Sequence, residues 1–209
     1  QQRYAYARWT DSPLAGWGMP PEEAFVALAR RYFSWIGPAT LAQFQPFAGL
    51  GVKASKAATA PLGLVPIEAD SPLLLLPDDL AALRAFTPPA DPVYRLVASV
   101  DGHVLLRRDL DPLVDAADAS KLGDGNGLQD LPSHAILDRG RVIGLWEYDP
   151  DEGAIAWASF VKPTAELRAE VERTGAMIRD QLGDARAFSL DSPESRRPRI
   201  AALRARQAA

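Results

Sequence analysis

One segment, residues 134–161 with the sequence HAILDRGRVIGLWEYDPDEGAIAWASFV, restricts the fold of this chain more than any other. It contains three runs rich in β-branched and aromatic residues, separated by Asp138–Gly140 and Asp149–Gly153, which have turn composition. The segment therefore predicts an antiparallel meander of three strands. In the middle run apolar side chains occupy both alternating sets of positions, which predicts a sheet covered on both faces.

Helical periodicity surrounds this segment. Thr164 is a suitable N-cap for a helix that reaches about Leu182, and four apolar residues share one of its faces: Leu167, Val171, Ile178 and Leu182. We expect this helix to pack near the meander. An earlier strand is predicted in VYRLVASV, and HVLL is typical of a short strand or a turn.

The first third of the chain has a different pattern. A helix is predicted from Pro21 to the Gly37–Pro38 stop, a second begins after the Thr40 cap, and a third spans roughly Val52 to Ala60. Pro46 makes the second helix short or distorted. Two short apolar runs, 64–67 and 73–76, follow as a hairpin. Three helices and a hairpin in this order predict a winged helix-turn-helix.

The predicted fold class is therefore α+β: a winged helix-turn-helix, then a β-rich antiparallel meander, then a C-terminal helix. We expect an irregular leader over 1–20, anchored by Trp9 and Trp17. The winged helix would cover 21–90, a β-rich domain that is winged-helix-like or barrel-like would cover 91–185, and an Arg-rich tail would cover 186–209.

Composition excludes several classes of protein. The 209 residues contain no cysteine and only two histidines, which argues against disulfides and a zinc site, so no metal and no cofactor are expected. No apolar run is long enough for a membrane span, and a cytoplasmic location is expected. No oligomeric state is predicted. The chain starts with Gln1 rather than Met, so we expect a fragment or a processed product.

The charge distribution is uneven. The net charge is −4, and residues 91–163 hold 13 acidic against 7 basic side chains, whereas residues 164–209 hold 9 basic against 7 acidic. A surface that binds a polyanion must therefore be local. The third predicted helix offers such a surface, because Lys can neutralise phosphates while Ser and Thr can donate hydrogen bonds to them. Its candidate DNA contacts are Lys53, Ser55, Lys56 and Thr59; the alternative is that the two lysines serve only solubility.

Other polar groups have competing interpretations. Gln43 and Gln45 form a Gln-x-Gln that could orient a water, or they lie on a solvated or phosphate-contacting surface. Asp101 and His103 could form an acid–base pair, or a turn with a satisfied histidine, that is, one whose ring is already hydrogen-bonded.

Trp146 and Trp157 could stack on bases, although a hairpin packed on a helix favours a core role. The acidic residues between 109 and 130 lack the spacing of a calcium loop. Arg107 and Arg108 are further candidate DNA contacts.

Three blocks of sequence resemble a known family. LARRYFSWIGPATLAQFQPFAGL, LVASVDGHVLLRRDLDPL and HAILDRGRVIGLWEYDPDEGAIAWASF occur in the order found in the winged-helix DNA-binding family that includes the bacterial alkyl-base and interstrand-crosslink DNA glycosylases. The blocks fall within about residues 21–185. The resemblance implies a scaffold that handles duplex DNA.

The sequence also departs from the pattern of this family. Family enzymes carry catalysis on a Gln-x-Gln or Gln-x-Asp motif in a preceding N-terminal winged helix, and no such domain is found in these residues. His103 replaces the aromatic residue of the second block. We expect either the C-terminal part of a glycosylase that acts on alkylated or crosslinked bases, or a non-catalytic relative. A non-catalytic relative would be a DNA-binding regulator or a protein-interaction module. Duplex binding is expected to be weak and salt-sensitive, and catalytic residues are not assigned.

Overall fold

The structure is a computed structural model that describes residues 5–13, 15–107, 110–122, 131–186 and 191–207. Helices and an antiparallel sheet are both present, so the predicted α+β class is confirmed. The chain folds as two compact units, Gln1–Leu80 and Ala81–Ala209. Among the described residues, no helix combines the length and the apolar character needed to cross a membrane.

The first unit contains three helices and a small hairpin. The helices are α1 (Pro21–Ile36), α2 (Leu41–Ala48) and α3 (Val52–Thr59), and a turn of 3-10 helix follows at Ala60–Leu62. Strands β1 (Val65–Pro66) and β2 (Leu74–Leu75) pair antiparallel. Helix α4 (Pro77–Ala85) comes next in the chain. The predicted positions of the three helices and of the hairpin are confirmed.

An aromatic cluster holds α1 and α2 together. The buried ring of Tyr32 packs with centroids 4.8 to 5.4 Å from those of Phe33, Phe44 and Phe47. The chain turns sharply after α1 at Gly37, where an added Cβ would lie 2.4 Å from the Phe33 carbonyl oxygen. Because such a distance is too short for a real side chain, only glycine fits there.

The leader is not anchored as expected. Tyr6, Trp9 and Trp17 are exposed, with 68% of Trp9 and 59% of Trp17 accessible to solvent. The described residues before α1 form only turns and irregular backbone. Without a periodic structure, no single face of the leader directs its rings toward a core, so the predicted anchoring role of the two tryptophans is wrong.

The second unit is built on a four-stranded antiparallel sheet of order β3-β4-β5-β6. Its strands are β3 (Tyr94–Val97), β4 (His134–Asp138), β5 (Arg141–Asp149) and β6 (Ala154–Ser159). The predicted meander is therefore confirmed. HVLL is not a strand: its first three residues lie in a short helix, α5 (Gly102–Leu105), and Leu106 is the C-cap of that helix. The Asp101 carboxylate accepts a hydrogen bond from the His103 backbone N–H and caps the other end.

Both faces of this sheet are covered, as the sequence predicts. One face packs with helix α6 (Ala165–Met177), which is capped by Thr164 and continues as a π-helical turn at Ile178–Leu182. Leu167, Val171 and Ile178 are buried there. Leu182, predicted on the same face, is 63% exposed, because the π-helical turn breaks the α-helical spacing. A second apolar cluster on the sheet includes Leu203 of helix α7 (Pro193–Gln207). The Arg-rich end of the chain thus contributes to the core of the second unit.

Candidate functional site

Helix α3 presents two lysines to solvent. Lys53 and Lys56 are three residues apart, so their side chains lie on the same side of the helix. Within the part of the chain that the structure describes, neither ammonium group has an ion pair or a hydrogen bond. Two neighbouring cations without carboxylate partners form a local positive surface, which suits an anion.

The two hydroxyl residues predicted beside them face inward. Ser55 is fully buried, and the Thr59 hydroxyl donates to the Ser55 carbonyl oxygen at 2.9 Å. Ser55, Ala58 and Thr59 make up the buried face of α3 because they recur at helical spacing. Of the four candidates on this helix, only the lysines therefore reach the surface in this structure.

The Gln-x-Gln of α2 supports the start of that helix. The Gln43 side-chain oxygen accepts from the Thr40 backbone N–H at 2.8 Å, and the Thr40 hydroxyl accepts from the Gln43 N–H at 3.1 Å. This reciprocal arrangement is a capping box. Phe44 between the two glutamines is fully buried. The Gln43 amide thus has a structural role, which the sequence interpretation missed although Thr40 was identified as the cap.

Asp101 and His103 do not form a side-chain pair. The Asp101 carboxylate caps α5, and the His103 Nε2 lies 3.2 Å from the Gly140 carbonyl oxygen. The histidine is hydrogen-bonded, as in the second interpretation, but it lies in helix α5 rather than in a turn. Arg107 is half-buried, and Arg108 lies outside the described residues.

Trp146 and Trp157 belong to the core of the second unit. Both are less than 8% exposed, and the Trp146 indole N–H donates to the carbonyl oxygens of Val97 and Ala135. Because both rings are buried, neither has an open face for a base, so base stacking by these two residues is excluded in this structure.

His134 packs against Trp146, with ring centroids 4.5 Å apart. It is 1% exposed, and its Nδ1 accepts from the Ser99 backbone N–H at 3.0 Å. Burial lowers the pKa of His134 below 6.5, although the nearby Glu147 carboxylate opposes the shift. His134 is thus a neutral core histidine that holds the segment after β3.

The arginines of α7 pair with acidic side chains of the same unit. Arg199 contacts Glu147 at 2.7 Å and Asp191 at 2.8 Å, and these bonds raise its pKa despite the opposing effect of burial. Arg196, fully buried, contacts Asp184 at 2.9 Å. Burial opposes ionisation of Asp184, but the hydrogen bonds from Arg196 and Arg186 outweigh it and lower the pKa of Asp184.

No metal centre is found among the described residues, where no three His, Asp or Glu side chains are grouped to hold an ion. Asp111, Asp115 and Asp118 of the acidic segment are among them, whereas Asp109 and Asp124 lie outside the described residues.

Sequence reasoning missed one exposed residue of interest. Trp35 of α1 is 63% exposed, although it lies in the most regular helix of the chain. The signal was available: Ala29, Tyr32, Phe33 and Ile36 define the buried face at helical spacing, and Trp35 lies off that face.

The fold and this surface define a class: an α+β chain in which a helical unit with an exposed basic helix precedes a four-stranded antiparallel sheet. A family model described as DNA glycosylase AlkZ-like matches residues 1–203, and the chain belongs to this AlkZ-like family. The resemblance to a family of DNA glycosylases is thereby confirmed. No curated protein matches the chain.

Among solved structures, the chain is similar to the Streptomyces sahachiroi DNA glycosylase AlkZ, with a TM-score of 0.60 at 22% sequence identity. The match covers 82% of this chain and 47% of that chain, so it extends over about half the length of the solved protein. At this identity the likeness shows the fold.

Proposed function

We propose that this chain is the DNA-binding part of an AlkZ-like DNA glycosylase that acts in the repair of alkylated or crosslinked bases. In this proposal the first unit is a winged helix, α3 is its recognition helix, and the hairpin of β1 and β2 is its wing. The observation that carries the proposal is the pair of exposed lysines on α3, Lys53 and Lys56, which have no carboxylate partners among the described residues.

The lysines act on the sugar–phosphate backbone rather than on base edges. An ammonium group on a flexible stem binds phosphate as a point charge and carries little sequence information. With two such contacts, duplex binding is weak and falls as salt rises, because each neutralised phosphate adds about 0.9 to the slope of log affinity against log salt. Contact by Arg107 and Arg108 is a further part of the proposal.

Base release by this chain alone is not part of the proposal. Gln43 closes a capping box, and Asp101 and His103 do not face each other, so neither candidate pair is arranged to activate a water. The residues that remove the base are proposed to belong to another Gln-x-Gln element of the glycosylase.

The test is fluorescence anisotropy of a labelled duplex with the full chain at several salt concentrations. The double variant Lys53→Ala/Lys56→Ala is expected to flatten the salt slope by up to about 2 units. Its free energy of unfolding is expected to stay within about 0.5 kcal/mol of the wild type, as is usual for surface changes.

Lys162→Ala is the matched control, because Lys162 is an exposed lysine of the second unit. Comparison with Lys53→Ala alone keeps the change in net charge equal. If Lys53→Ala and Lys162→Ala change the slope equally, the lysines of α3 are not a specific DNA surface. A wild-type chain that binds no duplex at low salt would favour the protein-interaction module instead.

A further inference from the structure

The outer side of α1 carries an unusual combination of exposed residues. We name it the outer stripe: Arg30, Arg31, Ser34 and Trp35, all exposed. Trp35 lies four residues after Arg31, and Ser34 four residues after Arg30, so these side chains are neighbours on the helix surface. The opposite side of α1 is the buried one, and the outer stripe takes no part in the aromatic cluster.

The charges of the outer stripe are not compensated nearby along the helix. Neither Arg30 nor Arg31 has an ion pair or a hydrogen bond in the described part of the chain. The carboxylates of α1, Glu22 and Glu23, are in its first turn. Arg30 is seven positions after Glu23, which corresponds to about 10 Å along a helix axis. The C-terminal half of α1 therefore presents positive charge beside an exposed indole.

We propose that the outer stripe binds an unpaired nucleotide of a DNA strand. The base stacks on Trp35, and the flanking phosphates bind Arg30 and Arg31. The proposal rests on the proposed function, which supplies DNA as the partner. Aromatic side chains stack on bases regardless of the base sequence, and one guanidinium group can donate two parallel hydrogen bonds to the oxygens of a phosphate. A base inside an intact duplex is already stacked on both sides, so only an unpaired nucleotide can use Trp35.

Charge also disfavours a second copy of this chain as the occupant. Two outer stripes facing each other would bring together four arginines, and like charges at an interface oppose association. A polyanion with aromatic faces satisfies both the arginines and the indole.

The experiment uses the full chain and two labelled duplexes that differ by a single unpaired nucleotide in one strand. Anisotropy gives Kd for each duplex. The wild type is expected to bind the duplex with the unpaired nucleotide more tightly. Trp35→Ala is expected to reduce this preference by about five-fold or more, from the stacking contribution of one base. It should leave the Kd for the intact duplex unchanged.

Two variants separate stacking from loss of structure. Trp35→Phe keeps an aromatic face and is expected to retain most of the preference. Trp17→Ala removes another exposed tryptophan, 59% accessible, from the leader and is expected to change neither Kd. Arg30→Ala/Arg31→Ala should flatten the salt slope measured with the unpaired nucleotide by up to about 2 units.

The proposal is overturned if the wild type shows no preference for the unpaired nucleotide, if Trp35→Ala weakens binding of both duplexes equally, or if Trp17→Ala causes the same loss of preference. None of these results bears on the lysines of α3, whose role is tested separately by the salt slope of binding to the intact duplex. A wild type that binds neither duplex removes both proposals. A concentration-dependent dimer that Trp35→Ala dissociates would identify a second copy as the occupant and would also overturn the proposal.

Discussion

Basic side chains serve different purposes in the two units. In the first unit, none of the described ones has an ion pair; these residues are Arg8, Arg30, Arg31, Lys53 and Lys56. Among the described residues of the second unit, nine arginines form ion pairs with carboxylates of that same unit. The Arg-rich end of the sequence has the composition of a nucleic-acid-binding tail, yet its charges are largely used within the fold.

The difference shows why composition alone misleads about partners. An arginine that already contacts a carboxylate must lose that contact before it can bind phosphate, so its contribution to DNA affinity is small. A lysine without a partner gives up only its hydration. The first unit holds fewer basic residues, but none of its described ones is already paired with a carboxylate, so all of them are available to a polyanion.

Arg196→Ala is expected to destabilise the chain by about 3–5 kcal/mol. Its side chain is fully buried and donates to the Ala185 carbonyl oxygen at 2.7 Å and to that of Tyr148 at 3.3 Å, besides its ion pair with Asp184. Removing one partner of a buried pair leaves the other charge and several acceptors without compensation. Urea unfolding of the full chain measures the change.

Arg197→Ala is the matched control for that prediction. Arg197 is the next residue on α7, its side chain is 67% exposed, and its nearest carboxylate, Asp151, is 3.8 Å away. A change within about 0.5 kcal/mol is expected. If Arg196→Ala is as stable as the wild type and Arg197→Ala, the buried arginine of α7 does not stabilise the fold. The contrast between paired basic residues in the second unit and unpaired ones in the first then loses its meaning.

A fall in pH is expected to destabilise the second unit through His134. The folded-state pKa of His134 lies below 6.5, so the unfolded chain takes up a proton first as the pH falls. This contribution to stability is complete above about pH 6.5 and is lost as the pH falls from there toward the folded-state pKa. The slope cannot exceed about 1.4 kcal/mol per pH unit for one proton.

Urea unfolding at pH 7, 6 and 5 tests this, with His134→Gln as the variant. Gln cannot titrate, so stability of the variant should depend less on pH in that window. The pKa of Asp184 is also lowered, but its contribution is lost only below about pH 3.8, outside the window. An identical pH dependence in wild type and variant would contradict the role of His134.

Local patterns predicted most of the backbone. The turns around Gly140 and Gly153, the Thr40 and Thr164 caps and the helical spacing of α1 each depend on residues close in sequence, and the structure has them as predicted. The outward orientation of Lys53 and Lys56 also follows from helical spacing. These features need no knowledge of which distant segments meet.

The errors came from long-range contacts and from capping. Arg199 and Glu147 are 52 residues apart in sequence, so no local pattern showed that the Arg-rich helix would neutralise β5. The available signal for this pairing was the excess of acidic residues in 91–163 and of basic residues from 164 onward. Most of HVLL lies in a short helix, whose start is capped by one carboxylate, that of Asp101. Trp9 and Trp17 were assigned to a core on the basis of residue type, but the leader has no regular structure to orient them.

The smallest expected effect concerns Arg204, which contacts Asp149 at 2.7 Å and Glu152 at 2.6 Å. Its side chain is 42% exposed, so the loss of stability in Arg204→Ala should be at most about 1 kcal/mol. The salt slope of duplex binding should not change. Lys53→Ala removes the same single positive charge but is expected to flatten that slope by about 0.9.

Anisotropy with an intact duplex compares these two variants directly, since long-range effects of net charge are equal in both. A flatter slope in Arg204→Ala would mean that this arginine leaves Asp149 and Glu152 to bind phosphate. The ion pairs of α7 would then be exchangeable rather than structural, and DNA binding in the second unit would extend beyond the proposed contacts of Arg107 and Arg108 to α7. An unchanged slope together with a small loss of stability would confine the phosphate contacts to side chains that have no carboxylate partner.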